Sequence, residues 1–393
     1  MGELPAKRSK SRRSPYQVET RMKILLVSPF TSTSGSAIRF WNMARQFSAR
    51  GYRVVYVDRS VRGAAPMHSV EGVRYCPSRA LSPFVLDILY STVFSIVMLL
   101  RNLDCDVFYA LKPAPNNCIA ALLAKLLGKT VLLDIDDLDY EYLTPGIKRV
   151  AAKFFFRFFP RFFPLVTCHT PALLSYCKEQ LRLSGNRLYY LAQGVSEEFL
   201  TDMHSEKAAS QVCSRSIVYV ATLGITSDFE DLLPMLTVLC REYPDLRVSV
   251  VGDGPRRSFF EGRVRAQGVG GQVSFTGRMD HARLPQFIAS HGIGINYLRP
   301  SKVNDCRAIL KLREYLACRL QVVCNDVGDA GQFSSCINLV HDLKQMEEAL
   351  RALLRAGPGR NEAGRKLIED KFRWERIMGT FMEENRRFFP GVG

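Results

Sequence analysis

The chain has 393 residues, 47% hydrophobic and 23% charged, which excludes a disordered chain and leaves room for two domains of ordinary size. A net charge of +16 suits an anionic partner, and with no helix-turn-helix, zinc-finger or aromatic RNA-binding signature that partner is not nucleic acid. The 11 cysteines lack a C-x-x-C pair or regular spacing, and the 6 histidines lack metal-ligand spacing; this points to buried free thiols in a reducing compartment and to no metal site.

Residues 1–21 are polar and basic with no apolar core, so they read as a disordered tail rather than a secretory signal. MKILLVSPF, residues 22–30, is a nearly continuous apolar run, the pattern of a strand buried on both faces. TSTSGSAIR follows, with Gly35 and Ser36 at the mouth of a predicted helix that stops at Gly51. Small residues there let backbone N–H groups approach an anion at the helix N-terminus. A plain strand-to-helix turn has the same pattern. YRVVYVDRS, GVRYCP, DVFYAL and TVLLDID repeat the strand theme, with helical stretches at 84–101 and 114–127. Within the first stretch, ILYSTVFSIVMLL (88–100) is too short to span a bilayer and is closed by Asp87 and Arg101, so a core helix is expected.

TVLLDIDDLDYEY brings Asp134, Asp136 and Asp137 to the carboxyl end of a buried strand. Unpaired carboxylates are costly there, so they mark either a site or surface-loop acids. IKRVAAKFFFRFFPRF, residues 147–162, repeats Arg149, Lys153, Arg157 and Arg161 every four residues among phenylalanines that include Phe154, Phe155, Phe156, Phe158 and Phe159, and Pro160 ends or kinks the helix. A partly buried helix with snorkelling arginines is one account. A helix lying on a membrane surface explains the basic spacing and the aromatic excess together. LVTCHT and RLYYLAQG complete the first series, and residues 200–213 read as a polar linker.

A second series follows: SIVYVATLG, RVSVVGDGP, QVSFTGRM, IGINYL, QVVCND and INLVHD. Strands alternating with helices predict parallel sheets with crossover helices, and two series predict two doubly wound domains facing across a cleft. In VVGDGP, Gly252 and Gly254 flank Asp253, which suggests close backbone packing or positive φ. In ILKLREYLACRLQVVC (309–324), Lys311 and Glu314 share one helix face, as a surface ion pair or as part of a site.

VVGDGPRRSFFEGRVRAQGVGGQVSFTGRM, LPQFIASHGIGINYL and KLREYLACRLQVV resemble, in order and spacing, the C-terminal domain of retaining GT-B glycosyltransferases of group 1, family 4 type. MKILLVSPF…GSAIRFWNMARQFSARGYRVVYV is similar to their N-terminal glycine loop and helix, and LAQGVSEEF (191–199) to their interdomain segment. The resemblance implies an α/β GT-B fold. It places a tail at 1–21, an acceptor-side Rossmann-like domain at 22–199 and a nucleotide-sugar domain at 200–375. A C-terminal helix at 376–393 is expected to pack back on the first domain.

The resemblance also implies a donor site of Gly35, Ser36, Gly224, Gly252, Gly254, Arg278, Asn304, Arg307, Lys311 and Glu314. Glu314 matches the glutamate that contacts the donor ribose, where a carboxylate accepts bonds from vicinal hydroxyls. The position of the family's other glutamate is Cys306, and the stretch resembles the N…K-x-x-E-Y variant with Asn304 and Lys311. Arg319 and Gln321 stand where the family usually has glycine and proline. VATLGITSDFEDL lacks the usual basic residue, so phosphate charge falls to Arg278, Arg307 or Lys311. Asp136 takes the place of the family's catalytic histidine, with Asp137 next to it.

The implied activity is retaining, metal-independent, hexosyltransferase-like transfer from a nucleotide-sugar co-substrate, with no other cofactor. The expected acceptor is lipid-linked or a glycan. The expected setting is polysaccharide or glycolipid biosynthesis at the cytoplasmic face of a membrane. There Arg149, Lys153, Arg157 and Arg161 would contact the anionic surface. A non-catalytic, membrane-associated sugar-nucleotide or glycan binding protein is the alternative.

Overall fold

Apolar runs long enough for a doubly buried strand recur through both halves, and each forms one. The computed structural model describes residues 22–31, 34–60, 70–82, 84–201, 213–224 and 228–390. The basic tail and most of the expected linker lie outside the described residues. The first sheet has seven parallel strands: β1 (Lys23–Thr31), β2 (Arg53–Ser60), β3 (Val73–Arg79), β4 (Val107–Leu111), β5 (Thr130–Ile135), β6 (Leu165–Cys168) and β7 (Leu188–Tyr190). Their order is β3-β2-β1-β4-β5-β6-β7. The order reverses between β1 and β4, and a crevice forms beyond the carboxyl ends of these two strands.

Helix α1 (Gly35–Ala49) follows β1, and Ser34 caps it by accepting from the Ala37 amide at 3.2 Å. Helices α2 (Phe84–Leu100), α3 (Pro115–Leu126), α4 (Ile147–Phe158) and α5 (Pro171–Gln180) return the chain between later strands. Helix α2 departs from the expected core helix. Its inward face carries Asp87, Ser91, Ser95, Met98 and Leu99, while Val85, Leu86, Leu89, Val93 and Leu100 are exposed. The small residues allow close approach to α3, and their hydroxyls are satisfied within the helix: Ser91 donates to Asp87 O at 2.7 Å and Ser95 to Ser91 O at 2.8 Å. The large side chains are thereby turned outward.

The second sheet has six parallel strands: β8 (Cys213–Val220), β9 (Arg247–Val251), β10 (Val273–Gly277), β11 (His291–Asn296), β12 (Gln321–Asn325) and β13 (Asn338–Val340). Their order, β10-β9-β8-β11-β12-β13, reverses between β8 and β11. Helices α6 (Phe229–Glu242), α7 (Arg257–Ala266), α8 (Leu284–Ala289), α9 (Lys302–Asp305), α10 (Leu310–Ala317), α11 (Leu343–Ala356) and α12 (Glu362–Lys371) surround it.

The chain runs between the domains at Leu191–Leu200 and again near residue 373. The two passages meet where the Val195 amide donates to Phe372 O at 2.9 Å. Helix α13 (Trp374–Glu384) then lies on the first domain, with Met378, Phe381 and Met382 in one core cluster with Phe40, Phe47 and Tyr52 of α1 and the turn after it. The cysteines among the described residues form no disulfide, and most are buried.

Candidate active site

Four loops at the carboxyl ends of β1, β4, β5 and β6 supply the polar centre of the first domain. Strand β4 is buried along its whole length and is followed by Lys112, which adopts the left-handed region at φ 64° before Pro113. Its amide extends the ladder to Asp134 O at 2.7 Å. The turn directs the side chain inward, where Nζ lies 3.0 Å from Asp136 Oδ1 and 2.5 Å from Asp139 Oδ1. Lys112 is 3% and Asp136 5% exposed. The contact to Asp136 is off the hydrogen-bond direction, so Asp136 Oδ1 is buried without an aligned donor.

Burial alone would raise the Asp136 carboxyl. Lys112, with a hydrogen bond from Ser36, outweighs it and holds the group below the usual carboxylate range. Asp139 moves the other way. Burial and the neighbouring carboxylates push it up to about 7, against the pull of Lys112. Burial works against the Lys112 ammonium, yet Asp136, Asp139 and Asp137 together hold its proton more tightly than usual. The result is a fixed cation beside an ionised carboxylate at the sheet's reversal point.

The three aspartates noted in the sequence do not converge. Asp134 turns to the other side of β5 and forms a bidentate pair with Arg39, at 2.9 and 3.0 Å. Arg39 also donates to Ala192 O and Leu191 O, so this pair ties α1 to the interdomain segment. Asp137 accepts from the Leu138 amide at 2.8 Å and from Tyr142 Oη at 2.7 Å.

His169 and Thr170 follow β6 and reach the second domain. Thr170 Oγ1 donates to Cys306 O at 2.8 Å, and His169 Nε2 lies 3.2 Å from the same oxygen. A carbonyl only accepts, so Nε2 carries the proton. Burial lowers the imidazole, which favours this neutral form. The Cys306 side chain sits in the core of the first domain. Arg307 donates to Tyr142 Oη at 2.6 Å. The turn that leads into α10 is thus seated on the polar centre.

On α10 the Glu314 carboxylate is buried and receives Lys311 Nζ at 2.9 Å, while Lys311 stays partly exposed. This is not an exposed ion pair. The adjacent Arg313 points away, donating to Gln193 O at 2.9 Å and pairing with Asp329 at 2.5 Å. Asn304 uses its amide to hold Arg299 O at 2.8 Å. Arg278 is exposed just past β10. Gly224 follows β8 and Gly35 opens α1, both with open space where a Cβ would stand. Gly252 and Gly254 differ, because a Cβ would come within 1.8 Å of Ala221 O and 2.4 Å of Leu223 O. Positive φ at both lets the β9 loop pack on the β8 loop, where the Leu223 amide donates to Asp253 O at 3.0 Å.

On α4, Arg149 pairs with Glu141, Lys153 lies 5.8 Å from the Tyr140 ring centre and Arg157 donates to Gln180 O at 3.3 Å. Arg161 is exposed beyond the helix, and its carbonyl accepts from Arg187 at 2.8 Å. Between the basic residues Ile147, Val150, Phe154 and Phe158 face outward. Sequence reasoning missed Lys112, Asp139, His169 and Thr170. A charged or polar residue directly after a wholly apolar strand, in YALKP and VTCHT, is the signal that marks Lys112, His169 and Thr170.

Residues 214–356 match the family described as Glycosyl transferases group 1. The alpha-D-kanosaminyltransferase of Streptomyces kanamyceticus is 24% identical over 218 residues, which is 52% of this chain and 55% of that protein. The chain therefore spans about half the length of this curated relative. Sucrose-phosphate synthase from Thermosynechococcus elongatus superposes with a TM-score of 0.74 at 15% identity, covering 94% of this chain and 99% of the other. Anabaena HepE in complex with UDP-glucose superposes with a TM-score of 0.71 at 13% identity, covering 93% and 100%. Residues 214–356 are thus similar to the glycosyl transferases group 1, and the two sheets together have the GT-B fold.

Proposed function

We propose that the protein is a retaining glycosyltransferase that moves a sugar from a nucleotide-sugar donor to a lipid-linked or glycan acceptor at the cytoplasmic membrane face. The observation that carries this reading is the seating of the turn before α10 against the Lys112–Asp136–His169 centre. It sets a buried carboxylate with a lysine, Glu314 and Lys311, on the helix that continues from that turn. A buried carboxylate suits a pair of ribose hydroxyls, and a partly exposed lysine suits a diphosphate. The nucleotide would lie along the carboxyl edge of the second sheet, near Gly224, Arg278 and Asn304. Its diphosphate would face Gly35 and Ser36, with Arg307 sharing the charge. The UDP-glucose complex of a protein with the same fold supports a nucleoside diphosphate sugar as donor.

Asp136 would orient the acceptor hydroxyl or stabilise the positive charge that builds on the sugar ring, with Asp137 shaping the loop beside it. The acceptor attacks the face that the diphosphate leaves, and the departing oxygens take the acceptor proton. No cofactor or metal enters this reading beyond the nucleotide sugar. Among the described residues no helix is long and apolar enough to cross a membrane. Attachment would therefore use surface contacts, including Arg149, Lys153, Arg157 and Arg161.

A second reading, a sugar-nucleotide or glycan binding protein without turnover, draws on Cys306. A thiol stands where related proteins have a glutamate, and its carbonyl is already occupied by His169 and Thr170. Assay of nucleotide-sugar turnover separates the two. Turnover should fall in Asp136→Asn through kcat and in Glu314→Gln through donor affinity. If both variants match the wild type, this site assignment is wrong.

A further inference from the structure

Helix α2 is sorted the wrong way for water. Asp87, Ser91 and Ser95 face the protein. Asp87 is neutralised there by Arg59 and accepts from the Leu81 amide at 2.8 Å. The outward face carries Val85, Leu86, Leu89, Val93 and Leu100, each more than half exposed. Asp87 is the only ionisable acid or base in the helix besides Tyr90, so the outward face has no charge. Helix α3 packs alongside and adds Ile119 and Leu126, the latter 84% exposed. Lys125 Nζ at the end of α3 donates to Phe162 O at 2.6 Å, which joins α3 to the turn after α4. Helix α4 adds Ile147, Val150, Phe154 and Phe158. Three neighbouring helices thus expose one apolar surface, larger than a single scattered residue explains.

Charge selects the occupant. Exposed Arg101, Lys148, Arg157 and Arg161 lie at or between the ends of these helices. A second copy of the chain would bring the same positive rim against itself. An anionic lipid surface would attract the rim and take up the apolar side chains. Helices α2 and α4 also start at the carboxyl edge of the first sheet, the edge that holds Ser36, Lys112 and Asp136.

We propose that α2, α3 and α4 form one lipid-facing platform in which the α2 side chains enter the acyl region of an anionic membrane. This rests on the membrane setting proposed above and extends it from α4 to a helix with no basic stripe. An acceptor held by its lipid would then arrive at the open edge of the cleft.

The test uses the full chain carrying Val93→Trp, because Trp41 and Trp374 are buried and report little from the surface. With phosphatidylglycerol-containing vesicles, the emission of this variant should shift to the blue and be quenched by brominated acyl chains, and raised salt should remove only part of the effect. The triple variant Leu86→Gln, Leu89→Gln, Val93→Gln changes exposed residues only. It should bind the same vesicles about tenfold more weakly at high salt while keeping its nucleotide-sugar affinity. If the protein sediments with vesicles but Val93→Trp is neither shifted nor quenched, α2 stays out of the lipid and the proposal is overturned. A concentration-dependent dimer that the triple variant abolishes overturns it in favour of a second copy. If no variant, nor the wild type, sediments with vesicles, the membrane setting fails as well, whereas donor turnover remains a separate result.

Discussion

Lys112 is the residue on which the polar centre turns. It has a left-handed backbone, is almost fully buried and faces two carboxylates. Removing one partner of a buried ion pair costs about 3–5 kcal/mol. Lys112→Met should destabilise the fold by that order and move the acid limb of the kcat–pH profile upward by at least about one unit, because Asp136 loses its cation. Adding Asp136→Asn should recover stability but not turnover; recovery of both would make the pair purely structural. A different aspartate gives a stability signal. Burial pushes Asp58 up to about 7, with Tyr75 as its donor at 2.8 Å. Its folded value lies above its unfolded one, so stability is fully present below about pH 4 and falls as pH rises to about 7. Urea unfolding should show this slope in the wild type and a shallower one in Asp58→Asn, with a change of about 1–4 kcal/mol across the range. Sequence marked Asp136 because a carboxylate at the end of an apolar strand is conspicuous. The charge after an apolar strand in YALKP was the one sign of Lys112, whose direction depends on a positive φ that no residue preference announces. Asp134 was equally conspicuous, but its partner, Arg39, lies 95 positions away.

Among the elements, parallel strands were the most legible, since burial on both faces leaves an unbroken apolar run. The helical stretches read at 84–101 and 114–127 became Phe84–Leu100 and Pro115–Leu126. Which face α2 would bury was not legible, because its composition is apolar throughout and the choice falls to the small residues that let α3 approach. On α4 the basic stripe was visible, but Glu141, Tyr140 and Gln180, which hold Arg149, Lys153 and Arg157, come from other segments. Changing Arg149, Lys153, Arg157 and Arg161 to Gln should lower binding to anionic vesicles at least about tenfold at low salt and leave donor affinity unchanged. Co-sedimentation at two salt concentrations checks it, and equal pelleting of variant and wild type would remove these residues from the contact.

At the scale of the whole molecule, two doubly wound domains and the edges that face each other follow from strand–helix alternation and the place of its break. The closure between them does not follow, because a backbone carbonyl at Cys306 accepting from His169 and Thr170 has no sequence signature. Binding energy can be read without knowing the sugar. A nucleotide sugar at about a hundred times its Kd should stabilise the protein by about 2.7 kcal/mol, seen as a thermal shift that Glu314→Gln reduces. A panel in which no nucleotide sugar shifts the wild type would argue against a donor site on the second domain.

The return of α13 to the first domain bears on the order in which the protein can be made. Phe381, Met382 and Phe389 complete the cluster around Phe40 and Phe47, and more than 300 residues of chain separate the two groups. As the chain leaves the ribosome, the domain synthesised first must wait with that part of its interior open. The second domain's sheet, ending at Val340, has all its strands well before then. Folding during synthesis therefore runs against the direction of synthesis. The later domain's core closes with Ile368 and Phe372, and the earlier one is finished last, with Phe381, Met382 and Phe389.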